Sequence, residues 1–445
     1  MTLIAPGRAV LARTEEMAKP IVRWGLGHAI PRGLVTRAAR KGDLQSRLIT
    51  EARTRDTASL APLMTQIRDR GQVIGSPLGY MTTHHAVVRE VLTSNDFRTG
   101  FVTNEQSRVT RALTWAARRQ MHPIEPPSLL VTEPPDHTFY RKLVTKVFTA
   151  RAVERLRGRT QAIADDLLDA LPAGEPVDLV ERYCALLPVN VIAEVLGVPE
   201  ADRPRVLELG GYAAASLDMG LSWSTFRTVE TALNEFDDWL GFHLGRLREN
   251  PGDDLFSQLV HASEGGRVLT EQELKATAGL VLAAGFETTV NLLSNGIKLL
   301  GDHPDQLARL QAEPELWLNA VDETLRIDPP VLMTSRSTLR DTTVGGRSIG
   351  VDSAVIAVLA GANRDPKVFP DPDRYDVARP NARDHLSFSA GRHFCLGAAL
   401  ARMEGEVGLR SLHERFDVEL LPGARRRGTR VLRGFEYLPA RLRNR

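Results

Sequence analysis

Cysteine is almost missing from this chain of 445 residues, which has only Cys184 and Cys395. Two thiols cannot build a disulfide framework, nor can they hold an iron–sulfur cluster by themselves. Their scarcity suits a reducing compartment, so a cytoplasmic setting is expected. Lysine is scarce too, with seven against 50 arginines, and the formal net charge is only +2. No global field therefore recruits nucleic acid. Nowhere do 18 or more apolar residues run consecutively, so no membrane span is expected. The first residues also lack the apolar core and cleavage site of a secretory signal. A glycine-rich fingerprint between a strand and a helix, as nucleotide cofactors require, is missing as well.

What is present is an ordinary globular composition, 42% hydrophobic and 25% charged, enough for a large core. The length alone would allow two or three domains. With no Gly/Ser-rich linker and no internal repeat, a single large domain is expected, mainly α with small β-sheets. Helical periodicity marks 137–147, 150–170, 178–196, 226–249, 271–300, 304–326 and 397–414. A hairpin is expected near 72–83, where Gly75, Pro77 and Gly79 mark the turn, and β-like pieces return at 337–357 around Gly345-Gly346. Residues 1–55 differ from the remainder, 56–445. They carry eleven Arg or Lys against four Asp or Glu, interleaved with Ile21, Trp24, Leu26 and Leu34. Such a stretch could associate weakly with an anionic membrane surface. A packed or frayed extension is favoured, because Pro20, Pro31, Gly25, Gly27 and Gly33 interrupt a long helix.

The second cysteine sits in an informative segment, F-S-A-G-R-H-F-C-L-G at 388–397, directly before a helical pattern. A thiolate that binds a metal must stay deprotonated without becoming so exposed that it oxidises. A loop at a helix N-terminus serves both needs, since backbone N–H groups and the helix dipole favour negative charge there. Gly391 permits a tight turn. Gly397 leaves room for a flat macrocycle, and Phe388 can shield the sulfur. A lone cysteine is more often an inert core residue. Cys184, in the apolar run Y-C-A-L-L-P-V, is read that way.

Phe388, Gly391, His393, Cys395 and Gly397 together match the haem-binding signature of the cytochrome P-450 family. The chain resembles that family from about Asp56 onward. The resemblance implies the cytochrome P-450 fold, haem b as cofactor and Cys395 as the ligand to iron.

Residues 280–290 read L-V-L-A-A-G-F-E-T-T-V, an apolar helical run broken by Glu287 and Thr288. Burying either side chain without a partner costs about 1–7 kcal/mol or more, so this cluster is either paired or functional. Small Ala284 and Gly285 would open the helix surface to a ligand. The run is similar to the family's A-G-x-[D/E]-T-T element. By that resemblance Ala284 and Gly285 lie over the haem, Thr288 holds dioxygen and its waters, and Glu287 relays protons from solvent. Cleaving an O–O bond needs two protons and electron density from the thiolate.

Glu323 and Arg326 share a helix face in E-T-L-R. Alone, the pair is common and weak. Its place between the other two motifs is similar to the family's E-x-x-R element, and P-D-R-Y at 372–375 implies Arg374 as the partner completing a buried ion network. Haem propionates suit arginine forks. His137 and Arg141, four apart in D-H-T-F-Y-R, resemble the family's propionate-binding element. Arg336 and His393 are further candidates, although each alone would be an ordinary surface charge.

The resemblance implies a monooxygenase that uses dioxygen to oxidise a hydrophobic small molecule of lipid, terpenoid or polyketide type. The pocket would be lined by 120–130, 210–225, Phe286 and Val331 to Thr334. Electrons must come from another protein, with a ferredoxin and its reductase expected. They would dock on the face of Arg141, Lys142, Lys146, Arg392 and Arg402. A non-catalytic haem-thiolate sensor and a peroxide-dependent relative are the alternatives. Glu287 and Thr288 weigh against both.

Overall fold

The most apolar helical run in the sequence becomes the longest helix, Glu271–Asp302. The Thr270 side chain accepts from the Glu273 backbone at 3.3 Å, and the Glu273 carboxylate returns to the Thr270 N–H at 2.7 Å, a capping box that fixes the helix start. By length and composition this helix could cross a membrane, yet 78% of its most apolar window is buried inside the protein. It is the core helix around which the others pack. The computed structural model describes residues 16–100, 108–118, 120–145 and 148–445.

In chain order, the helices that position the site are α1 (16–40), α2 (Asp136–Thr145), α3 (Leu186–Val195), α4 (Arg203–Ala215), α5 (Trp223–Glu249), α6 (Glu271–Asp302), α7 (Trp317–Ile327) and α8 (Ala398–Arg415). The strands are β1 (Ile74–Ser76), β2 (Gly79–Thr82), β3 (Phe97–Thr99), β4 (Pro176–Asp178), β5 (Thr334–Thr338), β6 (Ala354–Ala357), β7 (Phe416–Leu420), β8 (Arg425–Arg426), β9 (Phe435–Tyr437) and β10 (Pro439–Asn444). The main sheet has the order β1-β2-β6-β5-β3, and a second sheet the order β7-β10-β4. Helices thus dominate, with small sheets at the edges, as the sequence indicates. The expected hairpin is β1–β2, with Ile74 opposite Met81.

Two expectations about helices change. The run 304–326 is two helices, Pro304–Ala312 and Trp317–Ile327, because Pro314 supplies no N–H to continue the first. Residues 16–40 form one helix despite their prolines and glycines. A π-helical turn at Gly25–Ala29 takes up the irregularity, and Pro31 falls at the start of the α-helical stretch Ile30–Arg40, where its missing donor costs little. This part of the extension is therefore packed, not frayed. Residues 1–15 lie outside the described ones.

Candidate functional site

Helices α6 and α8 run parallel in close contact. A side chain at Gly405 would meet Leu292 at 3.0 Å, one at Gly408 would meet Leu293 at 2.7 Å, and one at Gly296 would meet Leu409 at 2.7 Å. Followed back towards both N-termini, this register brings Thr289 beside Glu404. Six residues back from Glu404 is Ala398, the start of α8, and six back from Thr289 is Ala283, so equal rise per residue sets the cysteine loop level with Leu280 to Ala284. On that part of α6 almost everything is buried except Leu280, Ala284, Gly285 and Thr288. Leu280, Ala284 and Thr288 are spaced by four, so they form one open stripe on an otherwise buried helix.

The cysteine loop is tightly built. The Cys395 N–H donates to the Phe388 carbonyl at 2.9 Å. Gly391 has φ +68°, and a side chain there would meet the Leu92 carbonyl at 2.8 Å, so only glycine fits. Gly397 caps α8, and a side chain there would meet nothing within 4 Å. Phe388 is buried, with the Arg402 guanidinium 4.7 Å from its ring centre. The Cys395 thiol lies deep in the protein yet keeps an accessible surface. Burial pushes this thiol up from its ordinary value, against the Gly397 N–H and the positive charges of Arg141 and Arg402, which favour the thiolate. Cys184 has none of this help. It is fully buried, and burial drives its thiol upward, which fits an inert core residue.

Around this loop stand the residues expected to meet the propionates. His137 is buried and its Nε2 has no hydrogen-bond partner among the described residues. Burial, reinforced by the positive charges of His393 and Arg141, lowers it to about 4, so it is neutral. Its ring lies 4.4 Å from that of His393. His393 meets Glu133 at 3.3 Å. Glu133 also accepts from the Thr99 N–H at 2.7 Å and from Arg392 at 2.9 Å. Burial works against its ionisation, but His393 and the Thr99 N–H and hydroxyl hold it at about 2. Arg141 donates to the Phe394 carbonyl at 2.8 Å, one residue before Cys395. Arg336 is buried on β5, bonded to the Thr334 hydroxyl at 3.2 Å and the Ser335 carbonyl at 2.8 Å, with no carboxylate partner among the described residues. Burial lowers it to about 10, with Glu133 opposing. A buried arginine without a carboxylate, an unpartnered buried histidine, an accessible thiol at a helix start and an open glycine fit haem with its two propionates.

Several residues take other places than the sequence suggests. Gly285 does not open the helix to a ligand, because a side chain there would meet Ile192 of α3 at 2.7 Å; its smallness serves helix packing. Ala284 alone of that pair faces the open stripe. Phe286 is not a pocket wall, being fully buried with its ring against Gly210 of α4. Arg374 is exposed and contributes only its carbonyl to the ion network. The arginine that completes the network is Arg379, whose Nε donates to Glu323 at 3.1 Å. Arg326 binds the same carboxylate at 2.7 and 2.8 Å, and all three side chains are buried. Arg402 is not a free surface cation, since it binds the buried Asp322 at 2.6 Å, where His385 also sits at 3.2 Å. Lys142 pairs with Glu264, and Lys146 lies outside the described residues.

Residues missed by sequence reasoning include Glu133, Arg379 and Arg427. Glu287 is buried, and Arg427, in the turn between β8 and β9, meets its carboxylate at 2.9 Å. Burial raises the Glu287 carboxyl, opposed by Arg427. Beside it, the Thr288 hydroxyl donates to the Ala284 carbonyl at 3.1 Å. No spacing rule links positions 287 and 427, so only the folded chain shows the pair.

The chain is similar to known proteins along most of its length. The family model described as Cytochrome P450 matches residues 224–430. Cytochrome P450 140 of Mycobacterium tuberculosis is 50% identical over 434 residues, covering 95% of this chain and 98% of that protein. The polyketide biosynthesis cytochrome P450 PksS of Bacillus subtilis is 38% identical over 319 residues, covering 71% and 77%. Among solved structures, ligand-free CYP164A2 of Mycobacterium smegmatis superposes with a TM-score of 0.79 at 34% identity, covering 89% of this chain and 99% of that one.

Proposed function

The chain belongs to the cytochrome P450 family and is a monooxygenase; from that premise we propose that it holds haem b through Cys395 and oxidises a hydrophobic small molecule of lipid, terpenoid or polyketide type, with electrons from a ferredoxin and its reductase. The observation that carries this is that the cysteine loop stands level with the Leu280 and Ala284 end of the open stripe, whose next turn holds Thr288. The name of the Bacillus subtilis relative supports the polyketide class among the three.

Haem supplies the redox chemistry of dioxygen activation, with the thiolate donating electron density. The chain's own residues do the rest. His137, Arg141, Arg336 and His393 hold and orient the propionates. Phe388 shields the sulfur, and Gly397 keeps the backbone clear of the macrocycle. Ala284 leaves space over it. The Thr288 hydroxyl holds a proton at the open stripe. Glu287, paired with the partly exposed Arg427, brings protons inward from the solvent side.

The division into a basic extension, 1–55, and a haem-thiolate domain, 56–445, belongs to this reading, as does a cytoplasmic location. On the thiolate side, Arg141, Lys142 and Arg392 line a surface groove of about 560 Å³, which supports a docking face for an acidic ferredoxin. Exposed Met17, Ile21, Ile30 and Leu34 on α1 support a weak association with anionic membranes, which flotation with phosphatidylglycerol vesicles tests. No flotation would remove it.

Turnover decides the main reading. Product should form with reduced ferredoxin, reductase and NADPH, and poorly with hydrogen peroxide. Efficient peroxide turnover would favour the peroxide-dependent alternative, and no product from either would favour a sensor. Substrates are to be sought by ligands that shift the Soret band.

A further inference from the structure

We propose that Arg402 is a positioning residue for the thiolate: Asp322 and His385 fix its charge beside the cysteine loop, and that charge makes the iron easier to reduce. This rests on reading Cys395 as the ligand of the haem iron.

The Asp322 carboxylate of α7 is fully buried, and three groups meet it. Arg402 Nε of α8 donates to Oδ1 at 2.6 Å, and His385 Nε2 stands 3.2 Å from the same oxygen. Arg383 reaches Oδ2 from the surface at 3.3 Å. The Ser387 N–H donates to His385 Nδ1 at 3.1 Å, so that nitrogen carries the lone pair and the ring proton sits on Nε2, facing Asp322. His385 is thus a neutral donor, and its burial, which lowers it, agrees. Burial opposes the ionisation of Asp322, but His385 and Arg402 outweigh it and hold the carboxyl below its ordinary value.

The same Arg402 guanidinium rests on Phe388, 4.7 Å from the ring centre. The His385 ring meets that phenyl at 5.5 Å. The Phe388 carbonyl takes the Cys395 N–H at 2.9 Å, so the backbone that carries the thiol is pinned to the residue under Arg402. Only 17% of the Arg402 side chain is exposed, against 67% for Arg383, so Arg402 is the sheltered charge of the two and the less screened. Arg141 also favours the thiolate, but it belongs to the propionate set. A plain tie between α7 and α8 would need the ion pair alone. The stacking on Phe388 is what brings the charge to the cysteine loop.

One-electron reduction adds negative charge at the thiolate-bound iron. A fixed cation beside it stabilises the reduced state more than the oxidised one, so removing that cation should make reduction harder.

The test uses the purified haem protein with saturating imidazole, which keeps every variant in one spin state. Arg402→Gln, Arg402→Lys and the double variant Arg402→Gln with Asp322→Asn are titrated beside the parent. At a fixed applied potential the ratio of reduced to oxidised protein should fall about tenfold in Arg402→Gln, a shift of about 59 mV for one electron. Arg402→Lys should stay within about twofold of the parent. The double variant leaves no buried carboxylate unpaired and should fall about threefold. The stretching frequency of carbon monoxide on the reduced protein should drop in the same order, since a less compensated thiolate donates more electron density. A purely structural bridge predicts lost stability with parent ratios. A ratio within about twofold of the parent in Arg402→Gln, or an equal fall in Arg402→Lys, overturns the inference. If Arg402→Gln does not fold, the double variant decides: a parent ratio there overturns the inference, and a threefold fall supports it. A parent that lacks the red-shifted reduced carbon monoxide band would instead sink the haem-thiolate reading beneath it.

Discussion

Arg427 and Glu287 lie 140 positions apart in the chain, yet their side chains meet at 2.9 Å, with Glu287 buried and Arg427 partly exposed. The pair joins the polar cluster of α6 to the solvent side through the β8–β9 turn. Burial raises the carboxyl and the arginine opposes that rise. Arg427→Gln should therefore move the Glu287-dependent limb of the kcat–pH profile upward by about one unit, equivalent to about 1.4 kcal/mol. Glu287→Gln should abolish that limb. Superimposable profiles for parent and Arg427→Gln would show that the pair does not tune the relay.

Thr288 offers its hydroxyl on the open stripe, bonded only loosely at 3.1 Å to the Ala284 carbonyl. Thr288→Ala should leave consumption of reducing equivalents within about threefold of the parent and cut product per NADPH about tenfold, with peroxide making up the difference. Coupling that stays at the parent value with several good substrates would exclude a role for this hydroxyl.

The Glu323, Arg326 and Arg379 network is fully buried, and breaking such a network by removing one member costs about 3–5 kcal/mol. Arg379→Ala should show a loss of that size in urea unfolding. Arg374→Ala, at an exposed position, should stay within about 0.5 kcal/mol. Equal losses for the two variants would restore the sequence-based assignment of Arg374.

His413 is buried on α8, stacked 6.2 Å from Trp317, with no partner for either ring nitrogen among the described residues. Burial, and secondarily the charge of Arg445, lowers it from 6.5 to about 4. Between those values the unfolded chain binds a proton that the folded chain does not. The stability this histidine contributes is thus present above pH 6.5 and lost as pH falls towards 4. From pH 7 to 4 the parent should lose about 3 kcal/mol more than His413→Phe, measured by urea unfolding across the range. Parallel pH dependences would mean that the imidazole titrates in the fold as it does in the unfolded chain.

Much of this site was legible in the sequence because its chemistry is local. The turn at Gly391, the thiol at Cys395 and the start of α8 fall within a few residues, so residue types and spacing suffice. The same holds for Glu287 and Thr288, whose polarity stands out within an apolar helix. What was not legible depends on neighbours from elsewhere in the chain. Gly285 and Phe286 look like pocket residues until Ile192 and Gly210 are set against them. Arg374 and Arg379 are both plausible partners for Glu323, and only burial separates them. Arg402 looks like a surface charge until Asp322 meets it. The prolines and glycines of α1 signal a broken helix because local propensity cannot foresee the π-turn or the tertiary bonds of Arg23 and Trp24.

The central claim is that Cys395, and not Cys184, is the thiolate that binds the haem iron. The difference spectrum of the reduced carbon monoxide complex measures this directly. Cys395→Ser should lose the red-shifted Soret band that marks thiolate ligation, while Cys184→Ser should keep it at parent intensity. A band that survives in Cys395→Ser and disappears in Cys184→Ser would contradict the account.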